Sequence, residues 1–263
     1  MGFSVIMLGA GNVGTHLARA LHSSGTDIRQ VYSRSEESAS ILARELHTAW
    51  TVRTSEILPD ADVYFLTVKD DVLHPFLKSA PLENKFLVHC SGSLSLQDLM
   101  AYTSECGVLY PLQTFSRSRN VDFSEVPVFL EYSSERAGSV LKQLAAGLTG
   151  RVYLADSVQR VKLHISAVFA CNFVNHLYSV AASLLKDIPL DFEVLFPLIR
   201  ETMQKAGVMD PFLAQTGPAV RNDKEIIQKH MQLLASTPDL QELYRMLTEH
   251  IHNQHKRPIH GIF

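Results

Sequence analysis

Cysteines and charged residues are both scarce in this sequence, and each shortage excludes a class of protein. Only three cysteines occur among 263 residues, Cys90, Cys106 and Cys171, and their spacing fits neither a disulfide framework nor a zinc site. We therefore expect reduced thiols in a cytoplasmic protein. Charged residues make up 19% of the chain and hydrophobic residues 46%, which excludes a disordered chain and predicts a full core.

Basic clusters are also missing, and the formal net charge is −3. A chain of this charge has no general attraction to nucleic acid or to anionic membranes, so we predict neither as a partner. One segment, residues 163–185, has the length and apolar character of a membrane span. It contains four polar side chains that are costly in hydrocarbon, His164, Asn172, Asn175 and His176. We therefore predict that it is a buried helix of a soluble protein.

Three glycines near the start of the chain form its most informative motif. An apolar run over residues 3–8 leads into Gly9, Gly11 and Gly14 at G-x-G-x-x-G spacing, and a helical pattern follows. A dinucleotide-binding βαβ unit has this order, because its glycines permit a tight turn, a close approach of the pyrophosphate and close packing of helix on strand. We predict a nucleotide site that includes Asn12 and Val13 at the helix N-terminus. An ordinary glycine-rich turn is the alternative.

The end of the second strand-like run indicates which nucleotide binds. An NAD site places an acidic residue there, about 20 residues past the glycines, but this chain has Ser33 and Arg34. A guanidinium can pair with a 2′-phosphate and stack on adenine, and a serine hydroxyl can donate to the phosphate. We therefore favour NADP over NAD. The alternative is a solvated arginine in a polar turn, since Glu36 and Glu37 follow.

Strand-like and helix-like patterns alternate through the first half of the chain, which predicts an α/β fold with a doubly wound parallel sheet of the Rossmann type. Eight strand-like runs cover residues 3–8, 27–32, 49–52, 62–68, 85–89, 107–110, 126–131 and 151–154. From residue 157 onward the periodicity is helical. We predict an NADP-binding domain over residues 1–155 and a helical dimerisation and substrate domain over residues 156–263.

The second domain is too small to cover a long apolar helix by itself. We therefore expect a homodimer built mainly through the helical half. A monomer whose helix is covered by its own sheet domain is the alternative.

Polar residues follow three of the predicted strands, at residues 67–71, 89–93 and 110–114. Ligands of open α/β sheets bind outside the carboxyl ends of the strands. We predict cofactor contacts from Val68, Lys69, Ser91 and Gly92, and Tyr110 is a possible proton donor. A turn, capping or packing role is the alternative for each.

The two aspartates after Lys69 have a separate prediction. Asp70 and Asp71 stand where the next helix begins, so we expect them to cap that helix.

A polar stripe runs along the long apolar helix. At about 100° per residue, one third of the circumference holds six residues. They are His164, Val168, Asn172, Asn175, His176 and Ser179. We predict that the stripe faces the nicotinamide in the cleft between the domains, with His164 or His176 as general acid and Asn172 positioning the substrate. A hydrogen-bonded seam in a dimer interface is the alternative.

Four histidines near the C-terminus, His250, His252, His255 and His260, have the number but not the spacing of a metal site. No acidic residue or cysteine accompanies them at a fixed spacing. We predict no metal.

Several motifs resemble known families. GAGNVG at 9–14, YSR at 32–34 and TVKD at 67–70 resemble the N-terminal domain shared by pyrroline-5-carboxylate reductases and deazaflavin-dependent NADP reductases. ACNF at 170–173, LFPL at 195–198 and TGPAVRND at 216–223 resemble a branch that joins a Rossmann-like domain to a C-terminal domain of unknown function. The resemblance implies an NADP(H)-binding protein of 6-phosphogluconate-dehydrogenase-like architecture and a dimer packed through its helices.

The leading functional hypothesis is an NADP(H)-dependent oxidoreductase that transfers hydride to a small C=O or C=N substrate. Related β-hydroxyacid dehydrogenases have a lysine four residues before the helix asparagine, where this chain has Val168. Valine neither donates nor accepts a proton, so the alternative is a non-catalytic NADP(H) sensor or regulatory protein.

Overall fold

The computed structural model describes residues 2–256, and its first half is an eight-stranded sheet. The strands are β1 (Ser4–Leu8), β2 (Asp27–Tyr32), β3 (Ala49–Thr51), β4 (Val63–Leu66), β5 (Leu87–His89), β6 (Cys106–Pro111), β7 (Val128–Tyr132) and β8 (Val152–Leu154). Their order is β3-β2-β1-β4-β5-β6-β7-β8. The predicted α/β fold of the Rossmann type is confirmed. The strand order reverses between β1 and β4, the point at which such sheets bind their ligands.

One strand pair departs from the predicted parallel sheet. β7 runs antiparallel to β6, whereas β8 is again parallel to β7. A parallel neighbour needs a crossover that returns the chain to the starting edge, commonly a helix. The segment between β6 and β7 holds only a 3₁₀ turn, Phe123–Glu125, so the chain re-enters the sheet in the opposite direction.

Helices cover both faces of the sheet. They are α1 (Asn12–Ser23), α2 (Glu36–Glu45), α3 (Asp70–Ser79), α4 (Gln97–Met100) and α5 (Glu135–Leu148). The side chains of β1 alternate between two buried clusters, with Val5 and Met7 in one and Ile6 and Leu8 in the other. A strand buried on both faces is apolar throughout, as residues 3–8 predicted.

The first compact unit continues past the end of the sheet. The chain divides into Met1–Phe173 and Val174–Phe263, so the first unit extends well beyond the predicted boundary at residue 155. The reason is α6 (Ser157–Ala167), which packs on the sheet through the fully buried Arg160. Its guanidinium donates to the Glu131 carboxylate on β7 and to the Leu94 carbonyl.

The long helix contains an irregular turn and is not buried. A π-helical turn, Val168–Phe173, joins α6 to α7 (Val174–Leu184). By length and composition, the run Ser157–Leu184 could cross a membrane. The side chains of Phe169 and Phe173 are 65% and 50% exposed. The prediction of a buried helix is therefore wrong for residues 2–256 taken alone, which leave half or more of each of these side chains exposed.

The second unit is helical, as predicted. After α7 it contains α8 (Phe196–Val208), α9 (Pro211–Ala214), α10 (Pro218–Arg221), α11 (Lys224–Leu233) and α12 (Pro238–Lys256). α12 contacts both α10 and α11. Many large apolar side chains of the second unit are exposed, among them two on α8, Val208 at 82% and Leu198 at 65%.

We predict that Arg160→Ala destabilises the protein by about 3–5 kcal/mol, because it leaves the Glu131 carboxylate partly buried without its cation. The free energy of unfolding in urea measures this loss. The control is Arg151→Ala, which breaks the exposed ion pair with Glu125 and should cost under about 1 kcal/mol. Equal losses in the two variants would contradict a structural role for the buried pair.

Candidate functional site

The glycine turn after β1 is shaped by two close approaches of backbone. Gly9 has φ of 127° and donates its N–H to the Tyr32 carbonyl at 2.8 Å. A Cβ at Gly9 would lie 2.7 Å from the backbone of Thr67, and one at Gly14 would overlap the Gly9 carbonyl. A Cβ at Gly11 would meet no atom within 4 Å among the described residues. The turn therefore leaves open space beside Gly11.

Helix α1 presents its N-terminus to that space. Gly11 is the N-cap, no side chain of the described residues caps the helix, and its first turn holds no acidic residue. The N–H groups of the first turn, at Asn12, Val13 and Gly14, have no acceptor within the helix. Together with the helix dipole they form an anion-binding end.

A cavity of about 260 Å³ opens where β1, β2 and β4 end, and we call it the arginine cavity. Ser33, Arg34, Val68, Lys69 and Arg117 help to line it. Of the carboxylates within residues 2–256, none lies within 4.0 Å of the three cations as a salt-bridge partner. Three cations that no carboxylate neutralises suit an anionic ligand with several phosphates.

A second cavity of about 290 Å³, the histidine cavity, lies beside the ends of β4, β5 and β6. Val13, Ser91, Gly92, Tyr110 and His164 help to line it. Thr67 and Val68 line both cavities. The two cavities therefore adjoin along the segment that follows β4.

Tyr110 and His164 form a hydrogen-bonded pair in the histidine cavity. The Tyr110 hydroxyl lies 3.1 Å from His164 Nδ1, and burial raises the pKa of the tyrosine above its usual value of 10. A Cβ at Gly92 would lie 2.6 Å from the His164 ring. Only glycine leaves room for the ring at this place, so Gly92 contributes to the position of His164.

The loop after β5 is held by a carboxylate. Asp70 accepts hydrogen bonds from the hydroxyls of Ser91, at 2.8 Å, and Ser93. The side chain of Asp70 does not cap α3, contrary to our prediction; it lies in the helix's first turn with Asp71. The carboxylate instead ties the loop after β5 to the start of α3, which orders the backbone around Gly92.

Two predicted catalytic residues, Asn172 and His176, are not among the residues that line these cavities. Asn172 is exposed on the π-helical turn, and His176 is exposed on α7 in the second unit. The predicted stripe assumes 100° per residue, but a π turn bonds residue i to i+5 and rotates the following residues relative to an α-helix. His164 is therefore the one member of the predicted catalytic trio that lines the histidine cavity.

Three residues at or behind the site were missed by sequence reasoning: Arg117, Arg160 and His89. Arg117 lies in a serine-rich loop with no periodicity, so the sequence carried no signal for it. Arg160 stands four residues before His164, and a charged residue one turn from a candidate acid was a usable signal. His89 ends β5 and is 1% exposed.

No group of three or more metal-ligating residues forms a possible metal site within residues 2–256. Of the four C-terminal histidines, His260 lies outside the described residues. The absence of a metal stays a prediction.

Comparison with known proteins assigns the family. Two protein-family models match the chain. The model described as "NADP oxidoreductase coenzyme F420-dependent" matches residues 4–92, and the model described as "Domain of unknown function (DUF2520)" matches residues 126–251. A protein from Bacteroides fragilis described as a "putative NADP oxidoreductase" is 43% identical, with a TM-score of 0.89, over 96% of this chain and 98% of that one. The chain belongs to this family of NADP oxidoreductases. NADP is the cofactor of the family, as the sequence predicted.

More distant structures share the fold of this oxidoreductase. An imine reductase from Streptomyces aurantiacus is 15% identical with a TM-score of 0.65, over 95% of this chain and 93% of that one. The 1-pyrroline-5-carboxylate reductase of Streptococcus pyogenes is 12% identical with a TM-score of 0.62, over 96% and 99%. No curated protein matches the chain.

His89 should make the oxidoreductase less stable in mild acid. Burial, aided by the charge of Arg160, lowers the pKa of His89 from 6.5 to about 4. The unfolded chain therefore binds more protons between these values, and stability falls as the pH drops through this window. The loss attributable to His89 is about 2 kcal/mol at pH 5 relative to pH 7.5.

The measurement is urea unfolding of wild type and His89→Asn at both pH values. Ser91 N–H donates to His89 Nδ1 at 3.2 Å, and the asparagine oxygen can accept that bond without titrating. The variant should lose less stability than wild type between pH 7.5 and 5. Equal losses would mean that His89 is not held neutral.

Proposed function

We propose that this oxidoreductase is an NADPH-dependent reductase of a C=N or C=O bond in a small molecule. One observation carries the proposal: Thr67 and Val68 line both the arginine cavity and the histidine cavity. A dinucleotide held at the first cavity can thereby reach the second. The site lies within the first unit, at the carboxyl edge of the sheet.

The residues of the arginine cavity fit the charges of NADPH. The N-terminus of α1 suits the pyrophosphate, and Arg34 with Ser33 suits the 2′-phosphate. Val68 and Lys69 would extend the site from β4, and the loop of Ser91 and Gly92 would contact the bound cofactor from the side of the histidine cavity. When bound, the cofactor supplies a hydride.

The Tyr110–His164 pair is the proposed proton source. Reduction of a carbonyl or imine leaves an oxygen or nitrogen anion that needs a proton, and a positioned acid commonly accelerates such a step by about 10²–10⁴-fold. When the Tyr110 hydroxyl donates to Nδ1, the N–H of the His164 ring is on Nε2. The same network can then present a proton to the substrate without the lysine that Val168 replaces.

The first experiment is a fluorescence titration of wild-type protein with NADPH and NADH, followed by NADPH oxidation on a panel of imines and carbonyls. We expect NADPH to bind at least tenfold more tightly, a difference of ~1.4 kcal/mol, and at least one panel member to be reduced. Binding without turnover on any panel member would favour the sensor hypothesis. Binding of neither nucleotide would overturn the proposal.

Removing the acid should separate chemistry from binding. His164→Gln and Tyr110→Phe are expected to lower kcat by about 10²-fold or more and to change the NADPH Kd less than about threefold. The matched control is His22→Gln, at an exposed histidine on α1, which should change neither value. A parallel loss of affinity and turnover would show that the pair is structural.

We further propose a homodimer in the cytoplasm, formed through the helical half. Ala219 is the one buried hydrophobic residue in the described part of the second unit, so that unit has almost no core of its own. A second copy could cover its exposed apolar side chains. Light scattering should give twice the chain mass of 29.4 kDa, and Leu198→Glu should shift it toward a monomer. A wild-type monomer would contradict the proposal.

A further inference from the structure

We infer that Arg117, on the loop between β6 and β7, is a second cation for the 2′-phosphate and helps to set the preference for NADPH. The inference rests on the proposed NADPH site. It adds to that site a residue that lies far in sequence from both the glycine turn and the Arg34 segment.

The contacts of Arg117 join two segments that line the arginine cavity. Its Nη2 donates to the Ala10 carbonyl, inside the glycine turn, and to Ser38 Oγ at 3.3 Å, in the first turn of α2. Ser38 N–H in turn donates to Ser35 Oγ at 3.3 Å. The guanidinium therefore reaches the segment that follows β2, where dinucleotide-binding sheets recognise the 2′ position of the ribose.

Arg117 keeps donors for a ligand. A guanidinium has five N–H donors, and both contacts of Arg117 use Nη2. The donors on Nη1 and Nε contact no acceptor among residues 2–256. Both of its partners are neutral, so the positive charge is also not compensated by a carboxylate. A phosphate is the group that such a fork binds best, through two parallel hydrogen bonds.

The loop that carries Arg117 is anchored on α1. His16, 3% exposed, bonds through Nε2 to the Ser116 carbonyl at 2.9 Å. The His16 ring also stacks on Phe115, with 5.3 Å between centroids, and Phe115 stacks on Phe123 at 5.8 Å. These contacts fix the residues next to Arg117, which reduces the entropy lost when its side chain binds a ligand.

Arg34 and Arg117 together would neutralise a 2′-phosphate. Arg34 makes no hydrogen bond to any residue within 2–256, and it lines the same cavity as Arg117, Ser35 and Ser38. A phosphate monoester carries nearly two negative charges near neutral pH. The two guanidinium groups match that charge, and NADH lacks the group that would pair with them.

The test is fluorescence titration of Arg117→Met with NADPH and with NADH, which reads binding and not activity. Methionine keeps an unbranched apolar stem and removes the donors. We expect the NADPH Kd to rise ~10- to 100-fold, as for loss of a hydrogen bond to a charged group, and the NADH Kd to change less than about twofold. Arg119→Met, in the same loop but outside the arginine cavity, is the matched control and should change neither Kd.

Other outcomes overturn the inference in distinguishable ways. Equal weakening of NADPH and NADH would assign Arg117 to the pyrophosphate, and no weakening would exclude it from the site. If wild type itself bound neither nucleotide, the proposed function would fail as well. Should Arg117→Met not fold, as thermal unfolding would reveal, Arg117→Gln gives the same comparison with polar donors retained and the charge removed. Unchanged NADPH preference in that variant would also overturn the assignment.

Discussion

The buried ion pair between Arg160 and Glu131 is the constraint on which the geometry of the site depends. It joins α6 to β7, and the second contact of Arg160, to the Leu94 carbonyl, joins both to the loop after β5. Ser157 reinforces the junction by donating to Glu131 and accepting from the Leu96 N–H at 3.0 Å. His164 lies one helical turn beyond Arg160 and is thereby held against Gly92 and Tyr110. Such a pair carries a large desolvation cost, so it indicates a need for fixed geometry more than for stability.

The distribution of charge separates the two cavities by chemistry. The chain is slightly acidic overall, with a net charge of −3. Two carboxylates near the site nevertheless have partners of their own: Asp70 accepts hydrogen bonds from two serine hydroxyls, and Glu131 pairs with Arg160. The cations of the arginine cavity therefore remain available for phosphates. The histidine cavity instead holds a tyrosine and a histidine, groups suited to moving a proton.

Much of the fold could be predicted because its signals are local. A strand buried on both faces must be apolar along its length, and glycine is required where backbone approaches backbone, as at Gly9 and Gly14. The direction of β7 could not be predicted in this way. The direction depends on whether the 112–127 segment crosses back over the sheet, and no periodic pattern within that segment indicates whether it does. The π turn was also invisible, because its residues are as apolar and helix-like as their neighbours. Asn172 lies within this turn, so the spacing of 100° per residue assumed for the stripe does not hold there.

The sequence by itself determined the nucleotide motif, the Rossmann-type order of strands and helices, the helical second half and the candidacy of Arg34 and His164. Each of these rests on residues within one turn, strand or helix, where sequence spacing is also spatial spacing. Only the tertiary structure decided which residues distant in sequence contact one another at the site. Tyr110 meets His164 across 54 residues of sequence, and Arg117 reaches Ala10 across 107. Contacts at such separations follow from the order of strands in the sheet and from the packing of α6, and no local pattern encodes them.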